Sequence, residues 1–300
     1  MLCGQETKIQ CVIRINLIIV GGHAESDNYM NNEMIQDKIN EPIHCYGIII
    51  MIDALGTRGL TIEQCFDFFR IRQDLIEDSL FRWKAASNHS RETNNTSEVK
   101  IYVQSFADTI VLAVEMKEFG SVHGNCTFPT GYIESDNLFY GMWLERIAYV
   151  LGDLIRDGLY KKVVLRGAMA AGEYIIHEKS NSVLGPTVVD VAKHYEEFES
   201  IGVILTPTSS AIIDNLAKSR QPRTSLRKTS IPFKNNQQND LYAVNWPNAF
   251  CKEDYSEEAI NKAKKDFGDI LSEIEIPQSA EEKYKTAKSF FDMMIKTAVE

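Results

Sequence analysis

Two aspartates stand where this sequence can do chemistry with charge. Asp53 closes the run Ile49-Ile50-Met51-Ile52 and is followed by Ala54-Leu55-Gly56-Thr57-Arg58-Gly59, an acid at the end of a hydrophobic stretch with a glycine turn behind it. Asp108 lies in Ser105-Phe106-Ala107-Asp108-Thr109, between two β-rich runs, so it falls at the tip of a hairpin. Two carboxylates brought to one site repel each other unless cations stand between them. Mg²⁺ or Mn²⁺, with water and phosphate oxygens completing the shell, is the usual solution. Two such ions in one site would activate an attacking hydroxyl and neutralise the charge growing on a leaving pyrophosphate, which is in-line phosphoryl transfer. Ala54 offers a backbone carbonyl to one ion. The N–H groups of 54–57, Gly56 and Thr57 among them, are placed to cradle the phosphates, with Arg58 as a side-chain partner.

The elements needed to hold the two acids together are legible around them. Residues 46–52 are an almost unbroken Gly and Ile run, suited to a strand buried on both faces. Thr61 and Gln64 are spaced as a capping box, and Cys65, Phe69, Ile76 and Leu80 recur behind them at helical spacing, which predicts a helix of about five turns. After a polar loop at 87–97, the runs 101–104 and 109–114 read as the hairpin strands, and an irregular insertion fills 115–135. A second long helix starts at Asp136 and closes near Gly158. Residues 163–168 make a buried strand with 174–177 as its partner, and 183–185 lead into a helix that holds Asp190 and His194. A further strand at 201–205 precedes a helix opened by Thr206-Pro207.

The order β-α-β-β-α-β is the split-βαβ, ferredoxin-like pattern of an α/β (α+β) fold, and it puts Asp53 and Asp108 on neighbouring central strands. The chain then divides into an N-terminal extension and linker over 1–42, with an extra strand at 11–21, a core domain over 43–217, and a C-terminal part over 218–300. That last part reads as a basic linker, one strand within 241–246 and two amphipathic helices.

Bulk properties narrow the partners. A 300-residue chain with 44% hydrophobic and 25% charged residues is an ordinary globular one. Its net charge of -10 argues against stable attachment to nucleic acid or to anionic lipid, so a polyanionic substrate needs a local cation supply. Cys3, Cys11, Cys45, Cys65, Cys126 and Cys251 show no CxxC spacing, which points to reduced thiols in a cytoplasm rather than a zinc site or a disulfide framework. The apolar run 11–21 is interrupted by Arg14 and Asn16 and is too short to span a bilayer, so no membrane segment is expected.

The segments Asp53-Ala54-Leu55-Gly56, Phe106-Ala107-Asp108, Arg166-Gly167-Ala168-Met169-Ala170-Ala171-Gly172-Glu173 and Gly185-Pro186-Thr187-Val188-Val189-Asp190, in that order, resemble the catalytic domain of class III nucleotidyl cyclases over roughly residues 45–215. The resemblance implies a homodimer with composite sites: two Mn²⁺ or Mg²⁺ ions per site on Asp53 and Asp108 of one protomer, ribose and transition-state groups from the other. In that family the helix after Gly185 supplies an Asn for the ribose and, four residues on, an Arg for the phosphates; Asp190 and His194 stand there here, and an i, i+4 pair shares a helix face. His194 is thus implied as a catalytic residue and Asp190 as a ribose contact. The base-reading places carry Gln104 and Ser182, where adenylate cyclases have Lys and Asp and guanylate cyclases Glu and Cys.

With Arg166-Gly167-Ala168 and Leu184-Gly185-Pro186, the chain is most similar to the pyrimidine cyclases of bacterial Pycsar anti-phage systems. That resemblance implies conversion of UTP or CTP, with UTP slightly preferred, to cyclic UMP or cyclic CMP, which activates a separate effector. An adenylate or guanylate cyclase, and a catalytically silent nucleotide-binding domain, are the alternatives.

Other residues carry plainer expectations. Arg166 either orders the site or pairs with Glu173. Lys218, Arg220, Arg223, Arg227 and Lys228 form a solvated basic arm. Phe66, Phe68, Phe69 and Phe81 belong to the core and to a dimer contact, since an amphipathic helix buries its apolar face.

Overall fold

The Gly and Ile run forms the centre of a longer strand, β1 (Ile43–Leu55), whose inner residues are buried on both faces. In the computed structural model, described over residues 41–57, 60–89, 100–115, 133–219, 225–234, 237–252, 254–274, 276 and 280–297, β1 pairs antiparallel with β3 (Thr109–Glu115) on one side and β4 (Val164–His177) on the other. The strand expected at 11–21, the linker before 41, Arg58 with Gly59, the loop after 89, the insertion after 115, and Arg220 with Arg223 lie outside the described residues.

β2 (Lys100–Phe106) completes the hairpin with β3, and the order β2-β3-β1-β4 is the ferredoxin-like arrangement expected. The sheet does not stop there. β6 (Gly202–Leu205) runs parallel to β4, and β8 (Gln237–Val244) and β7 (Leu226–Phe233) follow it, while the short β5 (Ser182–Leu184) pairs with the far end of β4.

Three helices frame the first face of the sheet: α1 (Ile62–His89), α2 (Ile133–Tyr160) and, further along, α4 (Pro207–Ser219). Ile48, Ile50, Ile52, Leu75, Leu144, Ile147 and Ile155 interlock there. Each such side chain contributes about 1.5–3 kcal/mol relative to leaving it in water. Behind them α5 (Asn248–Cys251), α6 (Glu257–Glu273) and α7 (Glu281–Thr297) add Phe267 and Phe291 around Trp246. The second face carries Cys45, Ile49, Met51, Val111, Ala168 and Ala170, covered over β1 and β4 by α3 (Pro186–Glu197) through Val191. Burial pushes the Cys45 thiol up to about 12, with Glu115 adding to the shift, so it is an inert core group. No helix among the described residues is long and apolar enough to cross a membrane.

Three elements differ from the sequence reading. Residues 164–177 form one continuous strand, not a strand and its partner. Gly172 does not mark a reversal: a Cβ there would come within 2.5 Å of Thr187 Oγ1, so the glycine admits the start of α3 against the sheet. Arg227 and Lys228 of the basic arm and the single strand of the C-terminal part belong to a two-stranded hairpin, from which Lys228 reaches Asp214 of α4 at 2.8 Å, while Lys218 lies in α4 itself. The hairpin's polar alternation, with Leu226, Ile231 and Phe233 inward, looks like a linker when counted by composition. α1 has the reciprocal Thr61–Gln64 capping box but spans 28 residues, because Lys84-Ala85-Ala86 are helix formers that polarity alone disguises. Of the phenylalanines expected in the core and in a dimer contact, Phe68 packs against the core while Phe66 and Phe81 are 71% and 73% exposed in the single chain.

α1 and α2 are clamped by a closed ring of charges. Arg82 reaches Asp153 at 3.3 Å and also Asp157, and Arg156 meets the same two carboxylates at 2.8 and 2.7 Å. This fixes the helix that also carries Arg72, the support of the site described next.

Candidate active site

β1 delivers Asp53 to the edge of the second face, directly opposite Thr109 on β3 and Arg166 on β4. The Asp53 side chain is 16% exposed and accepts from Thr109 Oγ1 at 3.4 Å and from Arg166 Nη2 at 3.5 Å. Arg166 donates its other terminal nitrogen to the Phe198 carbonyl at 3.1 Å, which fixes the guanidinium plane. Its Nε is buried without a partner among the described residues. The alternatives left open for Arg166 are thereby resolved in favour of the site; Glu173 instead faces His44 at 3.5 Å.

Asp108 comes from the β2–β3 turn, where Ala107 takes a left-handed φ of 51°. Three contacts hold that turn. The Ala54 N–H donates to the Asp108 carbonyl at 3.3 Å, Thr57 Oγ1 donates to Asp108 Oδ2, and Arg72 donates to the Ala107 carbonyl. Arg72 is 6% exposed, and its guanidinium lies 4.6 Å from the Phe69 ring centre, so it is anchored by packing as well as by its hydrogen bond. Burial lowers its pKa, and the charge of Asp108 works against that shift.

The electrostatics show what this arrangement lacks. Burial raises the Asp53 pKa, the neighbouring Asp108 charge raises it further, and Arg166 and Thr109 offset this only in part. Arg166 meets Asp53, while Arg72 feels the Asp108 charge but spends its hydrogen bond on the Ala107 carbonyl, and the two carboxylates still act against each other at Asp53. The neighbouring Asp53 and Asp108 carboxylates are donors of the hard oxygen kind that Mg²⁺ or Mn²⁺ takes.

The remaining sequence-assigned residues separate into those on this face and those elsewhere. Gln104 pairs with Val111 in register, two positions from Thr109, so it shares the Asp53 face; it is 5% exposed. Gly56 follows β1 with φ 85°, a conformation that favours glycine, and Thr57 is committed to Asp108. The phosphate cradle read over 54–57 changes in two respects. The Ala54 N–H is already taken, and α1 begins only at Ile62, so these amides are not a helix N-terminus. Arg58 lies outside the described residues.

Ser182 pairs with His177, eleven residues along β4 from the Arg166 level, and is bonded within its own turn to Ser180. At about 3.3 Å per residue that is roughly 36 Å from Asp53 in the same chain. Asp190 and His194 are bonded to each other: His194 Nδ1 lies 2.8 Å from the Asp190 carbonyl and 3.2 Å from its carboxylate, and the ring sits edge-on to Phe233. The residue α3 turns toward Asp53 is Tyr195: burial raises the pKa of its phenol, which lies near enough to Thr109 and Asp53 to feel both.

Thr109, Tyr195 and Arg72 are thus contributors that the pattern reading left unassigned. A signal for Arg72 was present: an arginine on the apolar stripe of α1, four residues after Phe68 and four before Ile76, must have an internal partner. Nothing local marks Tyr195, whose position depends on the register of α3 against β4.

No protein-family model and no curated protein matches the sequence. Among solved structures, the catalytic core of a rhodopsin-guanylyl cyclase with converted specificity in complex with ATPalphaS aligns at a TM-score of 0.39 and 10% identity, over 68% of this chain and 97% of that one. A likeness of that degree adds no weight to the function, which rests on the residues above.

Proposed function

We propose that the chain is a metal-dependent nucleotidyl cyclase, closing a nucleoside triphosphate to its 3′,5′-cyclic monophosphate with release of pyrophosphate. The observation that carries this reading is the pair Asp53 and Asp108, brought together by β1 and the β2–β3 turn and electrostatically unbalanced as they stand. Two bound divalent ions would lower the pKa of the ribose 3′-hydroxyl and take up charge on the departing pyrophosphate. The chain's own residues do the positioning. Thr57 and Arg72 fix Asp108, while Thr109 and Arg166 fix Asp53.

A second copy is part of the proposal. Ser182 reads the base, as the cyclase resemblance implies, only if another chain brings it to Asp53, given the length of β4 between them. UTP or CTP is the proposed substrate, with UTP slightly preferred, because Gln104 and Ser182 match neither purine pattern. The product would signal to a separate effector in a cytoplasmic anti-phage system.

One observation favours the catalytically silent alternative: Arg166 already neutralises part of Asp53. Incubating the purified chain with each of the four labelled ribonucleoside triphosphates and Mn²⁺, then identifying products by chromatography, decides among these. Cyclic UMP or CMP supports the proposal, cyclic AMP or GMP replaces the substrate, and no turnover supports the silent domain. An Asp53→Ala chain that still turned over would sink the metal assignment.

A further inference from the structure

At the other end of the sheet, β6, β7 and β8 meet α7 around a cavity of about 230 Å³, walled by Phe198, Gly202, Val203, Ile231, Trp246 and Phe290. Its size lies below the ~300–1,000 Å³ of drug-sized sites, and among the described residues no Lys, Arg, Asp or Glu lines it. A nucleotide is thereby a poor occupant. A neutral molecule built on a single ring or short chain is a good one.

Trp246 gives the cavity its chemistry. The side chain is 0% exposed, yet its Nε1–H has no acceptor among the described residues. That N–H edge faces Gly202: a Cβ there would stand 2.9 Å from both Cδ1 and Nε1, and Gly202 has φ 111°, so glycine is needed on both counts. A buried donor without an acceptor is costly, and such groups are almost always paired. A phenylalanine would fill the aromatic cluster of Phe250, Phe267, Phe290 and Phe291 without that cost. The indole N–H thus points to an acceptor delivered into the cavity.

The cavity is also wired to Asp53. Phe198, one of its walls, accepts from Arg166 Nη1 at 3.1 Å, and Nη2 of the same guanidinium reaches Asp53. Gly202, another wall, is the direct register partner of Arg166. A shift of the Phe198 carbonyl therefore acts on the guanidinium that balances the metal acid.

We propose that this cavity is a binding site for a small neutral molecule carrying one carbonyl or ether oxygen, received by the Trp246 N–H, and that occupancy is transmitted to Asp53 through Phe198 and Arg166. The site holds whether or not the chain turns over a nucleotide, because both readouts are structural. The full-length ¹⁵N-labelled chain is titrated with acetophenone, and the three indole N–H resonances of Trp83, Trp143 and Trp246 are followed, that of Trp246 being assigned by its loss in Trp246→Phe. The Trp246 signal should move downfield and saturate at about 1 mM or below. The Arg166 Nε–H signal, assigned with Arg166→Lys, should move in step. Ethylbenzene, the same shape without the oxygen, should leave the indole signal nearly in place. Ser289→Phe, an exposed α7 substitution that fills the opening, should abolish both shifts. No indole shift with acetophenone, or an undiminished shift in Ser289→Phe, overturns the site. An indole shift without an Arg166 response overturns the transmission.

Discussion

The two ends of one sheet set polar groups into the same kind of apolar wall and treat them in opposite ways. At the β1–β3 end, Asp53, Asp108, Thr57, Thr109, Arg72 and Arg166 form a connected cluster in which nearly every polar group has a partner. At the β6–β8 end, a fully buried indole N–H has none among the described residues, and a cavity lies beside it. The first pattern is that of a site organised in advance, where charge and position are fixed before a substrate arrives. The second is that of a site waiting for an acceptor. Arg166 belongs to both, since its guanidinium spans from Phe198 to Asp53.

Substitutions at each end sharpen or break this contrast. The largest effect is expected from Asp53→Ala, which should lower cyclisation by about 10³-fold, the upper range for losing one pre-organised electrostatic group, with an unchanged circular dichroism spectrum. Gly202→Ala at the cavity end should cost about 2–3 kcal/mol in urea denaturation, from a left-handed φ and from contact with the indole. Arg72→Met keeps the volume but frees the Ala107 carbonyl; a loss of about 2 kcal/mol is expected, the range for a hydrogen bond to a charged group. Arg72→Lys should recover part of the lost turnover if the role is to position Asp108. Thr57→Val should cost about 1 kcal/mol, read as a several-fold fall in activity with little change in melting temperature. Smallest of all, Lys265→Ala removes an exposed i, i+4 pair with Asp269 and should leave the thermal midpoint where it was.

Much of the fold was legible because the hydrophobic periods are strong where the sheet is central. The Ile49–Ile52 run, the hairpin around Asp108 and the Thr61–Gln64 cap each follow from short-range pattern, and all three appear. The long β4 and the β7–β8 hairpin were not legible for a common reason. Gly172 and the polar alternation of β7 have meaning only against a neighbour, Thr187 in one case and β8 in the other. The same distinction divides the site. Asp53 and Asp108 lie at strand ends and announce themselves by position, whereas Tyr195 and Thr109 join by register across α3, β1 and β3. Asp190 and His194 show the converse: helical spacing correctly made them neighbours, and they satisfy each other.

The central claim is that Asp53 and Asp108 together hold divalent cations on a triphosphate. Electron paramagnetic resonance titration of Mn²⁺ into the full chain, with a non-hydrolysable UTP analogue present, tests it most directly. The account predicts two bound ions per site in the native chain and their loss in the Asp53→Asn, Asp108→Asn double variant at unchanged fold; equal Mn²⁺ binding by both proteins would contradict it.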